Sequence, residues 1–461
     1  MENRTRMLGE APVREVLIKL SVPAIIGMFV QALYNLVDAI YIGRGVGPLG
    51  IAGVGVSFPI QMVVMAFAMM IGIGGASMVS RALGAKDYEK AHQVTGNVFS
   101  LLLFFSAIIS TLGLIFLSPL LRLFGATDNI LPYAREYMGT ILLGTVVFSF
   151  SMGSNNLVRA EGNARVAMLT MLISAGLNII LDPIFIFALD MGIRGAALAT
   201  VLSQATTAVY LVFYFSSGKS VLHVHMKNFL WKWELIREMI PVGSASFFRQ
   251  IAGSALAAIL NNTLALYGGD ISIAVYGTLN RLLMFLFMPM FGLSQGLQPL
   301  LGFNYGARQW KRARDSVFEA TKAATLWSVG AFLILLLLPT QLMKIFTTDE
   351  ELIRQGVHAI RLLVISFPVI GFQVVGASLF QAIGKALPSL FLSMSRQILF
   401  LIPLVLVLPR FFELTGVWIS FPLADFLAFG ITLYMVIREI RHFHRKMETD
   451  TGVAPGTLGD R

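Results

Sequence analysis

The sequence contains no cysteine, only six histidines and no GxxxxGK phosphate loop. The absence of cysteine excludes disulfide bonds, thiolate metal sites and cysteine nucleophiles. The histidines are scattered at spacings that do not suit a metal ion, and ATP hydrolysis is not expected without a phosphate loop. The loops show no His/Asp or Ser/His arrangement of the kind that a membrane enzyme needs. We therefore predict that the protein is not an enzyme and needs no cofactor.

Charge is also scarce. Only 13% of the 461 residues are Asp, Glu, Lys or Arg, whereas 56% are hydrophobic. Together with a mean hydropathy of +0.76, this composition is typical of an integral membrane protein. The N-terminal segment MENRTRMLGEAPVREVLIKL is charged along its length, unlike a cleavable signal, so we expect the first membrane span to be retained.

Long apolar runs are abundant. Runs of about twenty residues cross a bilayer as helices, and they predict an all-α fold with twelve transmembrane helices. The predicted spans cover residues 20–42, 51–80, 94–118, 133–155, 166–188, 195–215, 239–265, 273–301, 319–343, 357–380, 388–409 and 416–438.

Basic residues are distributed unevenly over the predicted connections. Of the 35 Lys and Arg, 24 lie on the side of both termini and 8 on the opposite side, while Arg249, Arg281 and Arg396 lie inside spans. Basic loops stay in the cytoplasm, so both termini are predicted to be cytoplasmic. These loops meet anionic lipid headgroups, and the sequence pI of about 9.8 therefore does not indicate nucleic-acid binding.

The chain contains an internal repeat. Three pairs of segments recur at one offset of 222 residues: LGAKDYEKA (83–91) with YGARQWKRA (305–313), FGATD (124–128) with FTTDE (346–350), and RAEGNA (159–164) with QAIGKA (381–386). They predict two pseudo-symmetric lobes of six spans each in parallel orientation, a design used by secondary transporters. The predicted parts are an N-lobe (1–215), a cytoplasmic connector (216–238), a C-lobe (239–438) and a cytoplasmic tail (439–461).

Two acids lie inside apolar spans of the first lobe. Asp182 stands in GLNIILDPIFIFALD, with Asn178 one helical turn earlier, and Thr200 enters from the next span. In the first span Gln31, Tyr34, Asn35 and Asp38 recur at helical spacing. At 1.5 Å per residue, Asp38, Asp182 and Thr200 lie roughly 6, 9 and 8 Å from the outer ends of their spans, so we expect them at one level.

Two carboxylates with amide and hydroxyl oxygens at one depth predict a site for a small cation, either Na⁺ or a proton. No other metal is expected there. A charge inside a span costs about 2.5 to 3.5 kcal/mol on insertion scales and normally faces a cavity or a partner. The alternative interpretation is that Asp38 is an interfacial residue and that Asp182 caps a helix end broken by Pro183.

The segments NLVDAIYIG (35–43), RAEGNA, LNIILDP (177–183) and GIRGAALAT (192–200) resemble the multidrug and toxic compound extrusion (MATE) family, in its prokaryotic DinF-like branch, over essentially the whole chain. The resemblance implies an antiporter, coupled to H⁺ or Na⁺, that exports bulky and often cationic or aromatic drugs by alternating access. It implies a prokaryotic plasma membrane protein that contacts lipids and works as a monomer. Carried over residue by residue, the resemblance places Asp38, Asn178, Asp182 and Thr200 in the cation site, Tyr34, Tyr137 and Asn155 in a surrounding polar network, and Pro23 at a hinge in span 1. The helical spacing of Gln31 and Asn35 with Asp38 adds these two residues to the predicted network.

The second lobe departs from the first because it lacks intramembrane acids at the corresponding places. Arg249, Arg281 and Arg396 lie in spans 7, 8 and 11, and Asp425 lies in span 12. We predict that Asp425 pairs with one of these arginines as an internal neutraliser. The alternative is that the arginines line the cleft and bind lipid or an anionic substrate, which would favour a flippase or exporter of a lipid-linked or anionic metabolite.

Overall fold

The structure is a computed structural model that describes residues 2–451. The last ten residues of the predicted tail, 452–461, lie outside the described residues. Within the described part the chain is helical, with short turns and one longer connection, and contains no β-strand. A helix satisfies its own backbone hydrogen bonds, which is what a lipid environment requires of a membrane-spanning segment.

The first half of the chain contains nine α-helices. They are α1 (Glu2–Glu10), α2 (Val13–Gly45), α3 (Pro48–Gly84), α4 (Tyr88–Ile115), α5 (Leu117–Leu123), α6 (Leu131–Leu143), α7 (Thr145–Ala160), α8 (Ala164–Pro183) and α9 (Gly192–Ser216). A π-helical turn, Ile184–Ala188, extends α8 past Pro183. The connection to the second half includes a short 3₁₀ helix, Met226–Phe229.

The second half contains eight α-helices. They are α10 (Trp233–Gly306), α11 (Trp310–Leu337), α12 (Pro339–Phe346), α13 (Glu350–Leu363), α14 (Phe367–Ala382), α15 (Ala386–Met394), α16 (Ile402–Val407) and α17 (Pro409–Thr451). A 3₁₀ turn joins α13 to α14, and the π-helical segment Ser395–Leu401 joins α15 to α16.

The number of spans agrees with the prediction of twelve. Ten helices within residues 2–451 are long and apolar enough to cross a membrane, and the bent pair α6 and α7 makes an eleventh. One of the ten, α10, has 74 residues and would be about 110 Å long, far more than a bilayer spans. Gly269, with φ 66°, breaks it into two. Twelve spans in two halves of six are therefore confirmed.

Span 4 differs from the continuous helix that the sequence predicts. Its two parts, α6 and α7, meet at Gly144 at an angle of 55°. A Cβ atom on Gly144 would lie 2.5 Å from the side chain of Val201 on α9. The close approach of α9 accompanies the bend, and this contact is a tertiary feature that an apolar run cannot show.

The two halves meet closely at the end of the bundle that carries both termini. A Cβ atom on Gly243 would lie 1.8 Å from the carbonyl oxygen of Met70, and one on Gly84 would lie 1.9 Å from that of Phe303. The Ser77 hydroxyl donates to the Gln381 carbonyl at 2.6 Å across the same seam. The largest buried hydrophobic cluster also includes side chains from both halves. This end of the molecule is closed.

We expect Gly243→Ala to open this seam, because the added methyl group overlaps the Met70 backbone, which cannot move aside as a flexible side chain can. The natural chain has no cysteine, so Ser77→Cys supplies a single buried reporter. Labelling of this cysteine by a membrane-impermeant maleimide should be several-fold faster in the Gly243→Ala background.

Gly277→Ala is the matched control, since nothing lies within 4 Å of a Cβ atom at that position of α10. It should leave the labelling rate unchanged. Equal labelling in the Gly243→Ala and Gly277→Ala backgrounds would show that the glycine contact does not hold the seam closed.

Candidate cation site in the first half

Asp182 lies on the last turn of α8 and is fully buried. The backbone does not end there, because the π-helical turn Ile184–Ala188 continues the span beyond Pro183. Asn178, one turn earlier, is also buried. Its Nδ2 atom donates to Asp182 Oδ1 at 3.3 Å and to Thr200 Oγ1 at 3.3 Å. The predicted set from spans 5 and 6 is thus assembled around one amide.

Asp38 reaches the same place from α2. Its carboxyl group is partly buried and lies against that of Asp182. Three buried oxygens, Asp38 Oδ1, Asp182 Oδ2 and Asn178 Oδ1, have no hydrogen-bond partner among residues 2–451. An unpaired buried acceptor is costly, and two facing carboxylates repel each other. A cation or a proton held between them would relieve both penalties.

The chemistry of the donors limits which ion fits. Within residues 2–451 no group of three or more His, Cys, Asp or Glu residues could hold a metal ion. The site offers two carboxylates with neutral amide and hydroxyl oxygens, which suits a monovalent hard cation or a proton better than a transition metal. The chemistry of these donors suits Na⁺ or H⁺, and the site itself stays a prediction.

Aromatic and amide side chains surround the carboxylates. Tyr34 on α2 lies beside Gln31, and it is close enough to Asp38 and Asp182 to interact electrostatically with both carboxylates. Tyr137 on α6 is buried and lies close to the same two acids. Gln31, Tyr34 and Tyr137 therefore lie around the two carboxylates.

The structure adds a residue that the sequence prediction missed. The side chain of Gln61 on α3 lies beside the Tyr137 hydroxyl, so span 2 also contributes to the network. Gln61 opens the stretch QMVVMAFAMMIGIG (61–74), which is otherwise apolar. A single amide side chain at the start of this stretch was the one feature of the sequence that could have indicated a polar role for Gln61.

Asn155 is not part of this cluster, which corrects the prediction. Its Nδ2 atom donates to the Ala167 carbonyl at 2.9 Å and to Thr170 Oγ1 at 2.6 Å, and its Oδ1 accepts from Arg159. Thr170 precedes Asp182 by twelve residues on α8, roughly 18 Å along the axis. Tyr137 and Asn155 are eighteen residues apart on span 4, which places them towards opposite ends of it, so only the former reaches the acids.

Asn35 is exposed on α2, and no hydrogen bond from its side chain joins it to the two acids within the described chain. Pro23 lies inside α2 and is buried. Its neighbours Ser21 and Ile25 pack against glycines of α10: a Cβ atom on Gly296 would lie 2.2 Å from Ser21 Oγ, and one on Gly292 would lie 2.4 Å from Ile25 Cγ1. The predicted hinge is therefore located at the seam between the halves.

Glu161 provides a contrast with the two aspartates. It is also fully buried, but its oxygens accept from Arg4 at 3.3 Å, Ser220 Oγ at 2.7 Å and the Val221 amide at 2.8 Å, and from the Tyr214 hydroxyl. Burial raises the pKa of the Glu161 carboxyl, and these hydrogen bonds oppose the rise. A carboxylate with both oxygens satisfied joins α1, α9 and the connector, and it has no need of an ion.

The arginines of the second half are not equivalent. Arg396 forms an ion pair with Asp425, whose Oδ2 also accepts from Ser366 Oγ at 2.7 Å. The predicted pairing of Asp425 with an intramembrane arginine is present in the structure. Arg249 is partly buried and Arg281 is exposed, and neither forms an ion pair with a carboxylate in the part of the chain that the structure describes.

Comparisons with known proteins agree over most of the chain. The profile of the MatE family matches residues 23–184 and 245–407, one segment in each half. Multidrug export protein MepA of Staphylococcus haemolyticus (strain JCSC1435) is 27% identical over 427 residues, which cover 93% of this chain and 94% of that protein.

Solved structures are similar throughout. A MATE structure in the bent conformation has a TM-score of 0.91 at 28% identity, covering 96% of this chain and 98% of the other. A MOP superfamily transporter from Pyrococcus furiosus, described as having a binding pocket of reverse polarity that suggests a different function, has a TM-score of 0.89 at 29% identity. The superposition covers 95% of this chain and 98% of the Pyrococcus furiosus chain.

Proposed function

The chain belongs to the MATE family, and from that premise we propose that it is a cation-coupled antiporter that exports bulky, cationic or aromatic compounds across a prokaryotic plasma membrane. The observation that carries the proposal is the pair of facing carboxylates, Asp38 and Asp182, with buried oxygens that lack donors. The multidrug export named for the staphylococcal relative supports the same substrate class.

Coupling requires that the ion and the drug favour different conformations. Bare charge on Asp38 and Asp182 disfavours compaction of the helices α2, α8 and α9 around them, because desolvating two like charges is costly. A bound proton or Na⁺ removes that penalty, so the occupied site favours a different packing of these helices. One such ion moving inward supplies about 2.3 kcal/mol per 100 mV of membrane potential.

The closed seam supports an outward-open state for this conformation. The contacts of Gly243 with Met70 and of Gly84 with Phe303 lie at the end that carries the termini, and the charge distribution of the loops predicts that end to be cytoplasmic. Asp38 and Asp182 lie near the C-terminal ends of α2 and α8, which are the ends away from the closed seam. The proposed ion site would then be accessible from outside, where an inward-moving ion must bind.

The direct test is efflux from proteoliposomes in which a pH gradient and a Na⁺ gradient are imposed separately, with ethidium as the fluorescent cationic probe. We expect one of the two gradients to drive ethidium transport and the other to have no effect. Ethidium transport at the same rate with and without each gradient would contradict cation coupling, but it would not affect the assignment to the MATE family.

The second candidate is a flippase or exporter of an anionic, lipid-linked compound. Arg249 and Arg281 favour it, because they lie well inside spans without an ion pair in residues 2–451, and charge at that depth normally faces a cavity. The same proteoliposomes can be loaded with a fluorescent phosphatidylglycerol analogue. Protein-dependent flipping of this lipid, without ethidium efflux, would favour this candidate.

The remaining parts of the proposal follow from the same family membership. We propose that the chain acts as a monomer, requires no cofactor beyond its coupling ion and contacts membrane lipids and small molecules rather than nucleic acid. The domain division into an N-lobe (1–215), connector (216–238), C-lobe (239–438) and tail stays a prediction. The helix α17 continues through residue 451, well into the segment predicted as tail.

We expect Pro23→Ala to keep the fold but to slow ethidium efflux several-fold. Proline cannot donate a backbone hydrogen bond, so the Lys19 carbonyl lacks its helical partner and α2 can bend there. Alanine restores that bond and stiffens α2 where it packs on α10. The measurement is the initial efflux rate at equal reconstituted density.

Pro59→Ala is the control, because Pro59 also lies inside a helix, α3, but away from the seam contacts of α2. It should transport at close to the natural rate. A Pro23→Ala protein with natural turnover would eliminate the hinge.

A further inference from the structure

The end of α17 presents a one-sided stripe that changes from apolar to basic. Leu423, Leu427 and Tyr434 are 41%, 45% and 67% exposed, and Arg441 and Arg445 are exposed further along. The spacings of four, seven, seven and four residues place all of them on one face of the helix. The apolar part lies within the membrane span, and the basic part follows where the helix leaves it.

A cavity of about 610 Å³ lies along the basic part of this stripe. It is lined by Lys385, Tyr434, Ile437, Arg438, Glu439, Arg441, His442 and Arg445. Lys385 reaches it from the turn between α14 and α15 and bonds the buried Glu439 at 2.5 Å. Two separate parts of the second half therefore shape the cavity, which distinguishes it from a flat row of surface cations.

The charges in this cavity are unbalanced. Its one carboxylate, Glu439, is paired with Lys385. Within residues 2–451, Arg438, Arg441 and Arg445 form no ion pair with a carboxylate, whereas Arg81, which lies against Gly384 beside Lys385, pairs with Glu238 at 3.0 Å. Three guanidinium groups therefore line one concave surface whose single carboxylate is already paired with Lys385.

The simplest interpretation is a solvated basic face of the kind that orients membrane helices. Such a face requires neither a cavity nor an exposed aromatic residue. Tyr434 stands one turn before Arg438 at the depth where aromatic side chains meet lipid headgroups, and Leu423 and Leu427 continue the apolar track inward. An amphiphile with an anionic head and an apolar chain complements all of these features.

We propose that this cavity binds the phosphodiester headgroup of an anionic phospholipid in the leaflet on the side of the termini. The guanidinium groups of Arg438, Arg441 and Arg445 hold the phosphate, for which the planar guanidinium is well suited. An acyl chain lies along Tyr434 and Leu427. The site is separate from the ion site on α2 and α8, and the proposal does not depend on the coupling ion.

The test is native mass spectrometry of the full chain in detergent, titrated with phosphatidylglycerol and, separately, with phosphatidylcholine. We expect one tightly bound phosphatidylglycerol that phosphatidylcholine does not replace. The variant Arg438→Gln/Arg441→Gln/Arg445→Gln should bind it at least tenfold more weakly, since each basic side chain near an anionic surface contributes a factor of about five.

Two comparison variants separate a built site from general charge. Lys86→Gln/Arg308→Gln/Lys311→Gln removes the same number of exposed cations from the same end of the bundle and should bind phosphatidylglycerol normally. The triple arginine-to-lysine variant at 438, 441 and 445 keeps the charge but loses the guanidinium groups, so its binding should fall between that of the natural protein and that of the triple glutamine variant. Measurable binding also shows that the altered helix folds.

Equal losses in the two glutamine variants would overturn the proposal in favour of a diffuse electrostatic effect. So would full displacement of the lipid by millimolar inorganic phosphate, because the cavity would then be a site for a free anion without an acyl chain. Displacement of phosphatidylglycerol only by other anionic phospholipids supports the site as proposed.

Discussion

Asp182→Asn and Asp38→Asn should each abolish gradient-driven ethidium export while leaving the protein folded. Asparagine keeps the shape of the side chain, and its Oδ1 atom can still accept the hydrogen bond that Asn178 donates to Asp182. It removes the charge that attracts the ion. Without a coupled ion the imposed H⁺ or Na⁺ gradient can do no work on ethidium, so the ethidium gradient should collapse.

The measurement is steady-state ethidium accumulation in proteoliposomes at equal protein density, with ion-dependent release of bound ethidium measured alongside. Asn178→Ala and Thr200→Ala remove neutral oxygens and should weaken the ion dependence more mildly. Asp190→Asn is the matched control, because Asp190 is an exposed acid just after the π-helical turn and does not face Asp38. Near-natural coupling in either site aspartate variant would exclude that residue from the ion site.

Asp425→Asn should have the largest effect on stability, with little effect on ion coupling. Asp425 is buried and pairs with Arg396, so its neutralisation leaves a guanidinium without a counterion inside the bundle. Breaking a buried ion pair costs about 3 to 5 kcal/mol. The Arg396 side chain is 32% exposed, so solvent screening should reduce the loss to about 2 to 4 kcal/mol.

Thermal unfolding of the purified protein, followed by ethidium efflux normalised to folded protein, tests this expectation. The double variant Arg396→Gln/Asp425→Asn removes both charges and should recover much of the lost stability. A stable Asp425→Asn protein that has lost its ion dependence would instead make Asp425 part of the coupling site.

The candidate site was predicted only in part. The rise of 1.5 Å per residue gives the depth of each residue in the bilayer, and depths on different spans can be compared directly. This comparison grouped Asp38, Asn178, Asp182 and Thr200. Asn155 was assigned through the resemblance alone, and the structure places its amide against Ala167 and Thr170, far from the acids. Gln61 was missed because depth does not reveal which way a side chain faces when a helix is apolar on most of its surface.

The membrane-spanning fold follows from the amino-acid sequence alone. Scarce charge, apolar runs of bilayer length and a repeat offset of 222 residues are enough to predict twelve helices in two halves, because lipid permits few other arrangements of the backbone. The sequence also predicted that Asp425 forms an ion pair with an intramembrane arginine, since an unpaired buried charge is costly.

Which arginine pairs with Asp425, and how the two halves meet, depend on the packing of the helices in three dimensions. The partner of Asp425 is Arg396 and not Arg249 or Arg281, all of which lie inside spans. The closed seam depends on Gly243 approaching the Met70 carbonyl, although the chain has 42 glycines that look alike in sequence. Rotation of each helix about its axis and the distance between helices are set by packing against neighbours, and neither is encoded in hydropathy along the chain.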